Sequence, residues 1–332
     1  MNEPSHYKML KDKIRLLAKE RDAVILAHNY QEGAIQDAAD FIGDSLMLSQ
    51  KAAATDASVI LFCGVHFMAE TASILCPNKK VIIPDLAAGC SLADMVIERD
   101  ARQWKERHPD GAVVAYVNTS AVVKAVSDYC CTSSNAVKVV QAIPEEKEVL
   151  FIPDFYLGTW VKRQTGRKNL HVWKGYCAAH TAITPEGIDR LREQHPDAEF
   201  LMHPECGCMT KSMDLADAIL STEGMVKYSK ESSASEFIIA TENGMLYKLQ
   251  KENPGKKFYP ASEDATCQYM RMNTLEKAFR SLLELKYEVK VPKEVADLAR
   301  LPIGRMMAIS ANGNGNGNKK LHSPASMAYN KF

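Results

Sequence analysis

Short apolar runs recur along the chain, and each ends in a polar or glycine-rich loop. Stretches with helical spacing of apolar residues separate these runs. This alternation is typical of a parallel sheet covered by helices, because parallel strands need a long crossover between them. We therefore predict an α/β fold. The predicted strands are Ala23–Ala27, Ser58–Cys63, Lys80–Pro84, Ala112–Val117, Glu148–Ile152, Leu170–Trp173, Ala198–Met202, Glu236–Ala240 and Lys257–Tyr259.

Six segments between or around these strands show the apolar spacing of an amphipathic helix. They lie where crossovers of parallel strands are expected. The predicted helices are His6–Lys19, Ser45–Ala54, Ser134–Ala142, Pro185–Gln194, Met209–Ser221 and Leu275–Glu284.

The strands fall into three sets, whose first strands begin near residues 23, 112 and 198. Each set closes on one cysteine, and these three residues, Cys90, Cys177 and Cys267, lie 87 and 90 residues apart. Self-similarity at a fixed period indicates a repeated structural unit, although α/β chains also show such rhythm by chance. We predict three similar parallel-sheet α/β units around a pseudo-threefold axis.

The predicted units cover residues 1–105, 106–192 and 193–310, and an Asn/Gly-rich segment over 311–332 is expected to be a flexible tail. In parallel α/β units, functional loops follow the carboxyl ends of the strands. If the three units face one another, their strand-end residues converge on one central cavity.

Composition excludes several classes of partner. The 41 acidic and 41 basic side chains cancel, so we expect no nucleic-acid and no membrane surface. No apolar run approaches the roughly 20 residues of a membrane span. The polar start at residues 1–13 lacks the apolar core of a signal peptide. We therefore expect a cytoplasmic protein.

Nine cysteines are a high number for such a protein, and an odd count with wide spacings does not suit a secreted disulfide framework. One thiolate from each unit could hold a metal ion or cluster and leave one position open. A lone cysteine is more often a small buried hydrophobe. We interpret Cys63, Cys76, Cys130 and Cys131 in that way.

The segment Cys206-Gly207-Cys208 is an alternative metal site, because a C-x-C pair can chelate zinc. It has no second local pair. Spacing alone favours an iron–sulfur cluster at the three spaced cysteines over zinc only weakly, so both metals stay open at this point.

Polar residues after predicted strands could carry acid/base chemistry. His28 with Tyr30 is one such pair, and His203 with Glu205 is a second. His180 follows the second spaced cysteine by three residues and must lie near any metal bound there. A structural role at a strand end is the alternative for each histidine.

Ser133-Ser134 and Ser221-Thr222 precede stretches with helical spacing, and Ser45 opens the predicted helix Ser45–Ala54. A helix N-terminus offers free N–H groups to a phosphate or carboxylate. Simple N-capping uses the same residue types and is the alternative. No glycine-rich dinucleotide motif and no P-loop is present in the sequence.

At these residues the chain resembles the quinolinate synthases, the iron–sulfur enzymes of de novo NAD biosynthesis. The resemblance covers residues 20–305. The matching segments are Ala27-His28-Asn29-Tyr30-Gln31, Gly43-Asp44-Ser45-Leu46, Ile83-Pro84-Asp85, Gly89-Cys90-Ser91-Leu92-Ala93, Ala115-Tyr116-Val117-Asn118-Thr119, Cys131-Thr132-Ser133-Ser134-Asn135-Ala136, Pro153-Asp154, Leu157-Gly158, Trp173-Lys174-Gly175-Tyr176-Cys177, His203-Pro204-Glu205-Cys206, Ser221-Thr222, Thr241-Glu242 and Met272-Asn273-Thr274-Leu275-Glu276.

The resemblance implies three α/β units around a pseudo-threefold axis with the site at their junction. It implies a reaction that joins iminoaspartate (iminosuccinate) to dihydroxyacetone phosphate and yields quinolinate, phosphate and two waters. It further implies a [4Fe–4S] cluster on Cys90, Cys177 and Cys267, whose open iron acts as a Lewis acid. The implied substrate contacts are His28, Ser45, Tyr116, Asn118, Ser133, His203, Glu205 and Thr222, with His180 and Ser221 beside them.

From these residues we predict Glu205, with His203 close by, as the catalytic base, and His28 with Tyr30 as helpers in proton transfer. The substrates would be the two small molecules above. A transient contact with the aspartate oxidase or dehydrogenase that supplies the unstable imine is a further expectation.

Two positions depart from the family pattern. Some members carry a C-x-x-C-x-x-C motif at the third cysteine, where this chain has Ala261 and Asp264. The family often has glycine before the Ser-Thr pair, where this chain has Leu220. The first departure removes a disulfide switch, and the second leaves the roles of Ser221 and Thr222 less defined.

Two functions from other classes compete with this interpretation. An iron–sulfur sensor or scaffold would need the three cysteines but not the polar strand-end residues. A zinc-dependent aldolase or hydrolase would use Cys206, Cys208 and His203.

Overall fold

A computed structural model describes residues 3–312 of the chain, and over that range the polypeptide folds as alternating strands and helices. The strands are β1 (Ala23–His28), β2 (Phe41–Gly43), β3 (Val59–Cys63), β4 (Lys80–Ile82), β5 (Ala112–Tyr116), β6 (Tyr129–Cys131), β7 (Val149–Ile152), β8 (Leu170–Val172), β9 (Glu199–Met202), β10 (Ala218–Ile219), β11 (Glu236–Ala240) and β12 (Lys257–Pro260).

Helices connect these strands and cover the sheets. They are α1 (Glu3–Glu20), α2 (Gly33–Ala38), α3 (Ser45–Ala54), α4 (His66–Leu75), α5 (Glu98–Arg107), α6 (Ala121–Val126), α7 (Ala136–Gln141), α8 (Phe155–Thr165), α9 (Ala178–Thr181), α10 (Pro185–Gln194), α11 (Met209–Ser212), α12 (Thr222–Glu231), α13 (Met245–Glu252), α14 (Leu275–Glu284) and α15 (Lys293–Asn312).

The strands form three four-stranded sheets in which every pairing is parallel. Their orders are β2-β1-β3-β4, β6-β5-β7-β8 and β10-β9-β11-β12, which is one topology used three times. Buried residues fill the central strands almost without interruption, as expected for parallel strands covered on both faces. The predicted α/β fold with three similar units is therefore confirmed.

All nine predicted strands are present, but each sheet has a fourth strand that the sequence pattern did not reveal. These are β2, β6 and β10, which contain only two or three residues and lie at a sheet edge. Each ends level with the first strand of its sheet: His28 pairs with Gly43, Tyr116 with Cys131 and Met202 with Ile219. The hydroxyl residues that follow these edge strands are thereby brought beside the ends of the central strands.

The predicted helix Met209–Ser221 is wrong. The α-helix ends at Ser212, a 3₁₀ turn covers Met213–Leu215, and Ala218–Ile219 form β10. Pairing of β10 with Leu201 and Met202 of β9 overrides the helical spacing of the apolar residues. Such tertiary contacts routinely outweigh local propensity.

The last helix, α15, packs away from the third sheet. It lies against α6 and β6 of the second unit, where Arg305 donates a 2.6 Å hydrogen bond to the carbonyl of Asp128. It ends at Asn312, so the tail predicted from residue 311 lies outside the described residues from 313 onward. Among residues 3–312, no helix combines the length and apolar character that a bilayer crossing requires.

Candidate active site

One cavity of about 270 Å³ opens at the carboxyl ends of strands from all three sheets. This placement follows from the topology, since loops after parallel strands lie on one edge of each sheet. The predicted residues that line the cavity are His28, Tyr30, Ser45, Cys90, Tyr116, Asn118, Ser133, Cys177, His180, His203, Glu205, Thr222 and Cys267. Ser221 is the one predicted site residue that does not line it.

The three evenly spaced cysteines reach the cavity from different units, and each is partly exposed. Burial of the sulfur raises the pKa of Cys90 to about 12 and raises the pKa of Cys177 and Cys267 as well. Without a cation beside them these groups are therefore thiols. The other free cysteines, Cys63, Cys76, Cys130 and Cys131, are buried and do not line the cavity, which agrees with their interpretation as core residues.

The spacing of these sulfur atoms bears on the kind of metal group that they fit. A single tetrahedral ion with metal–sulfur bonds of about 2.3 Å brings its thiolates within about 3.8 Å of one another. Over residues 3–312, two clusters of three metal-ligating side chains have all their ligand atoms within 4.8 Å, and neither contains a cysteine. At least one pair of these three sulfur atoms is therefore more than 4.8 Å apart, which is wider than a single tetrahedral ion holds its thiolates. A cluster of several iron atoms suits the wider donor set.

Cys206 and Cys208 do not form an open thiol pair. Their sulfur atoms are bonded to each other, and both residues are fully buried in the core of the third unit. The interpretation of this segment as a zinc ligand set is therefore wrong, because neither sulfur is free to bind a metal or lines the cavity.

The His28 and His203 side chains are held by the same local turn in two different units. The Nδ1 of His28 accepts the N–H of Tyr30 at 3.2 Å, and the Nδ1 of His203 accepts the N–H of Glu205 at 3.4 Å. In each neutral ring the proton is therefore on Nε2. Burial lowers the pKa of His28 to about 3 and that of His203 well below its ordinary value. Both imidazoles are neutral at physiological pH and present an N–H to the site.

Tyr30 and His180 both contact the hydroxyl group of Thr241, which was not among the predicted site residues. The Tyr30 hydroxyl lies 2.6 Å from the Oγ1 of Thr241 and 3.3 Å from the Nε2 of His180, which in turn is 3.1 Å from that Oγ1. Burial lowers the pKa of His180 to about 4. Its Nδ1 has no hydrogen-bond partner among the described residues and lies 3.8 Å from the Oε2 of Glu205.

Glu205 is a buried carboxyl group, 2% exposed, at the centre of this arrangement. Burial, and then the charge of the nearby Asp154, raise its pKa well above the ordinary value. Asp154 is fully buried as well, and burial raises its pKa to about 8. One Asp154 oxygen caps α8 by accepting the N–H of Leu157 at 2.6 Å, and the other has no partner within residues 3–312. The two carboxyls form a pair that ionises reluctantly.

Polar groups of the second unit complete the surroundings of Glu205. The Nδ2 of Asn118 is 3.5 Å from its Oε1, and the Oγ of Ser133 is 3.2 Å from the Nε2 of His203. Tyr116, which ends β5, is buried beside them, and burial raises its pKa well above 10. These contacts join the second and third units across the cavity.

Two helices of ten residues point their first turns at the cavity. Asp44 caps α3 by accepting the N–H of Met47 at 2.8 Å, so Ser45 begins that helix. Ser221 caps α12 by accepting the N–H of Gly224 at 3.3 Å, so Thr222 begins the other. Capping thus explains Ser221, while Ser45 and Thr222 remain available to a ligand.

Glu242 fixes the third cysteine and was also missed as a site residue. Its Oε1 accepts the N–H of Cys267 at 3.0 Å and the Nη2 of Arg271 at 2.8 Å. The second oxygen accepts the N–H of Gly244 at 2.7 Å. The signals in the sequence were a short polar segment after a strand and the match of Thr241-Glu242 to the family pattern. Its partner Arg271 lies in a later loop.

The cavity wall contains no lysine or arginine within the part of the chain that the structure describes. Its charged residues are acidic, and its donors are hydroxyls, an amide, imidazoles and helix N-termini. An anionic ligand would therefore rely on neutral donors and on any cation that the cysteines hold.

The chain is similar to known proteins over most of its length. The family model described as "NadA: Quinolinate synthetase A protein" matches residues 12–308. The "Quinolinate synthase" of Pyrobaculum aerophilum is 54% identical over 304 residues, which is 90% of this chain and 99% of that protein. That of Thermus thermophilus is 53% identical, over 90% of this chain and 97% of its own length. That of Mycobacterium sp. (strain KMS) is 49% identical, over 91% and 92%.

Proposed function

We propose a reaction from one established premise: the chain belongs to the quinolinate synthetase A family. The proposed reaction condenses iminoaspartate with dihydroxyacetone phosphate to give quinolinate, with release of phosphate and two waters. The observation that supports it best is the convergence of one cysteine from each unit on a single cavity lined by neutral donors.

The residues proposed to hold a [4Fe–4S] cluster are Cys90, Cys177 and Cys267. The described residues of the cavity include three thiols and no fourth, and at least one pair of their sulfur atoms is more than 4.8 Å apart. This donor set fits a cluster with one iron free of protein ligands. When bound, such a cluster supplies a Lewis acid that polarises a hydroxyl group lost as water. It also supplies the positive charge that the cavity wall lacks.

The phosphate and carboxylate groups of the substrates are proposed to bind at the helix N-termini. Ser45 begins α3 and Thr222 begins α12, where free N–H groups and the helix dipole favour anions. Ser133 offers a hydroxyl from the second unit. Tyr116 and Asn118 are proposed to orient the diacid through hydrogen bonds.

Glu205 is proposed as the catalytic base, with His203 beside it. Because its pKa is raised, Glu205 is a stronger base than an ordinary glutamate once it is ionised, which suits removal of a proton from carbon. His28 and Tyr30 are proposed to assist proton transfer at the triose end, since the neutral imidazole offers a fixed Nε2–H.

Two wider proposals follow from the chemistry of the substrates and of the site. The imine hydrolyses in water, so transient contact with the aspartate oxidase or dehydrogenase that makes it would limit its loss. The reduced thiols at the site suit a reducing compartment, and we propose the cytoplasm.

Anaerobic purification followed by iron, sulfide and zinc analysis tests the metal group. We expect four iron and four sulfide per chain, because this is the composition of the proposed cluster. Assay with dihydroxyacetone phosphate and freshly made iminoaspartate should then give quinolinate. Stoichiometric zinc without iron would contradict the proposal, and a full cluster without turnover would favour the sensor or scaffold alternative.

The substitution Cys177→Ser should abolish both the visible absorbance of the cluster and the turnover, because an alcohol ligates iron poorly. Cys76→Ser is the matched control. Cys76 is a buried cysteine outside the cavity whose Sγ donates to the carbonyl of Ala52 at 3.1 Å, a bond that serine retains. A Cys177→Ser protein with full cluster and full activity would contradict the proposal that Cys177 is a cluster ligand.

A further inference from the structure

We propose that His108, Glu148 and His171 form a second metal site, outside the cavity, for a divalent transition cation such as Zn²⁺. Over residues 3–312 this is one of two places where three ligating side chains have all their ligand atoms within 4.8 Å. The other, at His180, His203 and Glu205, belongs to the candidate active site.

The backbone brings the three residues together from separate elements of the second unit. His108 follows the last residue of α5, Glu148 directly precedes β7, and His171 is the middle residue of β8. Because His171 pairs with Leu150 on the neighbouring strand, Glu148 and His171 lie on the same face of the sheet. The end of α5 places the third residue, His108, beside that face.

The carboxylate stands between the two imidazoles. Its Oε2 lies 2.8 Å from the Nε2 of His171 and 3.4 Å from the Nε2 of His108. The side chains are accessible, with exposures of 29% for His108, 46% for Glu148 and 48% for His171, so an ion can enter from solvent.

The His108 ring is oriented in the way that a metal ligand requires. Its Nδ1 lies 2.9 Å from the backbone carbonyl of Trp104, which can only accept, so this nitrogen carries the proton. In the neutral ring the lone pair is then on Nε2 and faces the carboxylate oxygen. A histidine that binds metal through one nitrogen usually donates its other N–H to a carbonyl or carboxylate in this manner.

A bound metal cation, like a proton on Nε2, makes the contact between that nitrogen and the carboxylate attractive. The ring is also held in place, because it stacks on the buried Trp104 with centroids 4.3 Å apart and planes 13° from parallel. Two imidazoles and one carboxylate suit Zn²⁺, Co²⁺ or Ni²⁺ better than Mg²⁺, which prefers oxygen. The site faces an open surface cleft, which leaves the remaining coordination to water.

Equilibrium dialysis of the full-length, cluster-loaded protein against Co²⁺ tests this site. We expect one Co²⁺ bound per chain beyond the cluster iron, without a sulfur-to-cobalt charge-transfer band, which distinguishes it from cobalt held by the cavity cysteines. His171→Gln and Glu148→Gln should each weaken binding by at least about 10-fold, because even outer partners of a metal contribute that much. Zn²⁺ should compete for the site and raise the Tm of the wild type, but not that of His171→Gln or Glu148→Gln.

His195→Gln is the matched control. His195 also lies beside a carboxylate, Glu236 at 3.8 Å, and stacks on an aromatic ring, Tyr259, but it belongs to neither three-ligand cluster of the described residues. This variant should bind Co²⁺ like the wild type. His171→Cys should retain the ion and gain a sulfur-to-cobalt band, an effect that a purely structural role cannot produce. Equal binding by the wild type and His171→Gln, or no stoichiometric Co²⁺ in the wild type, would overturn the proposal.

Discussion

At the residue scale, the cavity depends on ionisable groups that are kept neutral by burial. His28, His180 and His203 have lowered pKa values, whereas Glu205 and Asp154 have raised ones. Burial is the largest cause in all five cases, since it penalises whichever form is charged. The three imidazoles therefore stay neutral near neutral pH, whereas Asp154, with a pKa of about 8, can exchange a proton there.

The substitution Glu205→Gln tests the proposed base. The amide has nearly the same shape but cannot take a proton, so turnover should fall by about 100-fold or more while iron and sulfide content stays unchanged. Glu263→Gln, an exposed position that does not line the cavity, serves as the control. A turnover rate close to that of the wild type would remove Glu205 as the base.

The buried Asp154 should make stability depend on pH. Its pKa is about 8 in the folded chain against 3.8 for the exposed group, so the folded state holds the proton more tightly between these values. Its contribution to stability is therefore lost as pH rises from about 4 through about 8, by up to about 1.4 kcal/mol per pH unit.

Asp154→Asn keeps the cap on α8 and removes the ionisation. The difference in unfolding free energy between variant and wild type should grow in favour of the variant as pH rises from about 4 to about 8. Urea unfolding of cluster-free protein across this range measures it, with the exposed Asp94→Asn as control. Parallel pH profiles for Asp154→Asn and the wild type would contradict the burial of an ionisable Asp154.

At the scale of elements, the same arrangement of strands places polar side chains at the cavity in each unit. A central strand ends in a polar turn, and the short edge strand beside it ends level with that turn and leads into a hydroxyl-bearing loop. Ser45, Ser133 and Thr222 are the corresponding hydroxyl residues of the three units. The repeated topology therefore produces three similar walls of one cavity.

Helix α13 supports the first turn of α12 through one buried lysine. The Nζ of Lys248 donates to the Oε1 of Glu223 at 2.7 Å and to the Oδ1 of Asn29 at 3.1 Å. Asn29 in turn donates to the Oγ1 of Thr222 at 2.8 Å. This chain of contacts links the end of β1 in the first unit to the N-terminus of α12 in the third.

Lys248→Met should therefore misplace Thr222 without touching the cavity. We expect a higher KM for dihydroxyacetone phosphate with a smaller change in kcat, and a loss of about 1–3 kcal/mol in stability from the unpaired partners. Lys251→Met, on the same helix but with an exposed ammonium group, is the control. An unchanged KM in steady-state kinetics would show that the network does not position Thr222.

At the scale of the whole molecule, α15 ties the end of the chain back to earlier units. Its buried residues Ile303 and Met306 join the large core shared with the first and second sheets. Arg300 donates to the carbonyl of Ile74 at 3.0 Å, and Ser310 accepts from Asn135 at 2.8 Å. The helix thus contacts both the first and the second unit, although it follows the third unit in sequence.

Ile303→Ala should lower the free energy of unfolding by about 2–5 kcal/mol, since the side chain is fully buried and its loss leaves a cavity. Leu301→Ala on the same helix is 53% exposed and should change it by no more than about 0.5 kcal/mol. Urea unfolding measures both. Equal effects of the two substitutions would mean that α15 does not pack as described.

Much of the fold could be predicted from the sequence, because periodicity is a local property. The nine predicted strands and the helices α3, α10 and α14 are visible in the spacing of apolar residues. The edge strands β2, β6 and β10 were missed because their apolar runs are short and bounded by polar residues. The helix predicted over Met209–Ser221 was wrong because strand pairing across β9 decided the outcome.

The sequence by itself determined which residues are available at the ends of strands, and the repeat of cysteines showed that three units contribute equally. Tertiary structure alone decided that Glu205 faces Asp154, that Glu242 holds Cys267, and that Cys206 and Cys208 bond to each other. The pKa values of the site also depend on it. The reason is physical. Burial and close contact between distant segments depend on packing, and the local pattern of apolar and polar residues does not specify them.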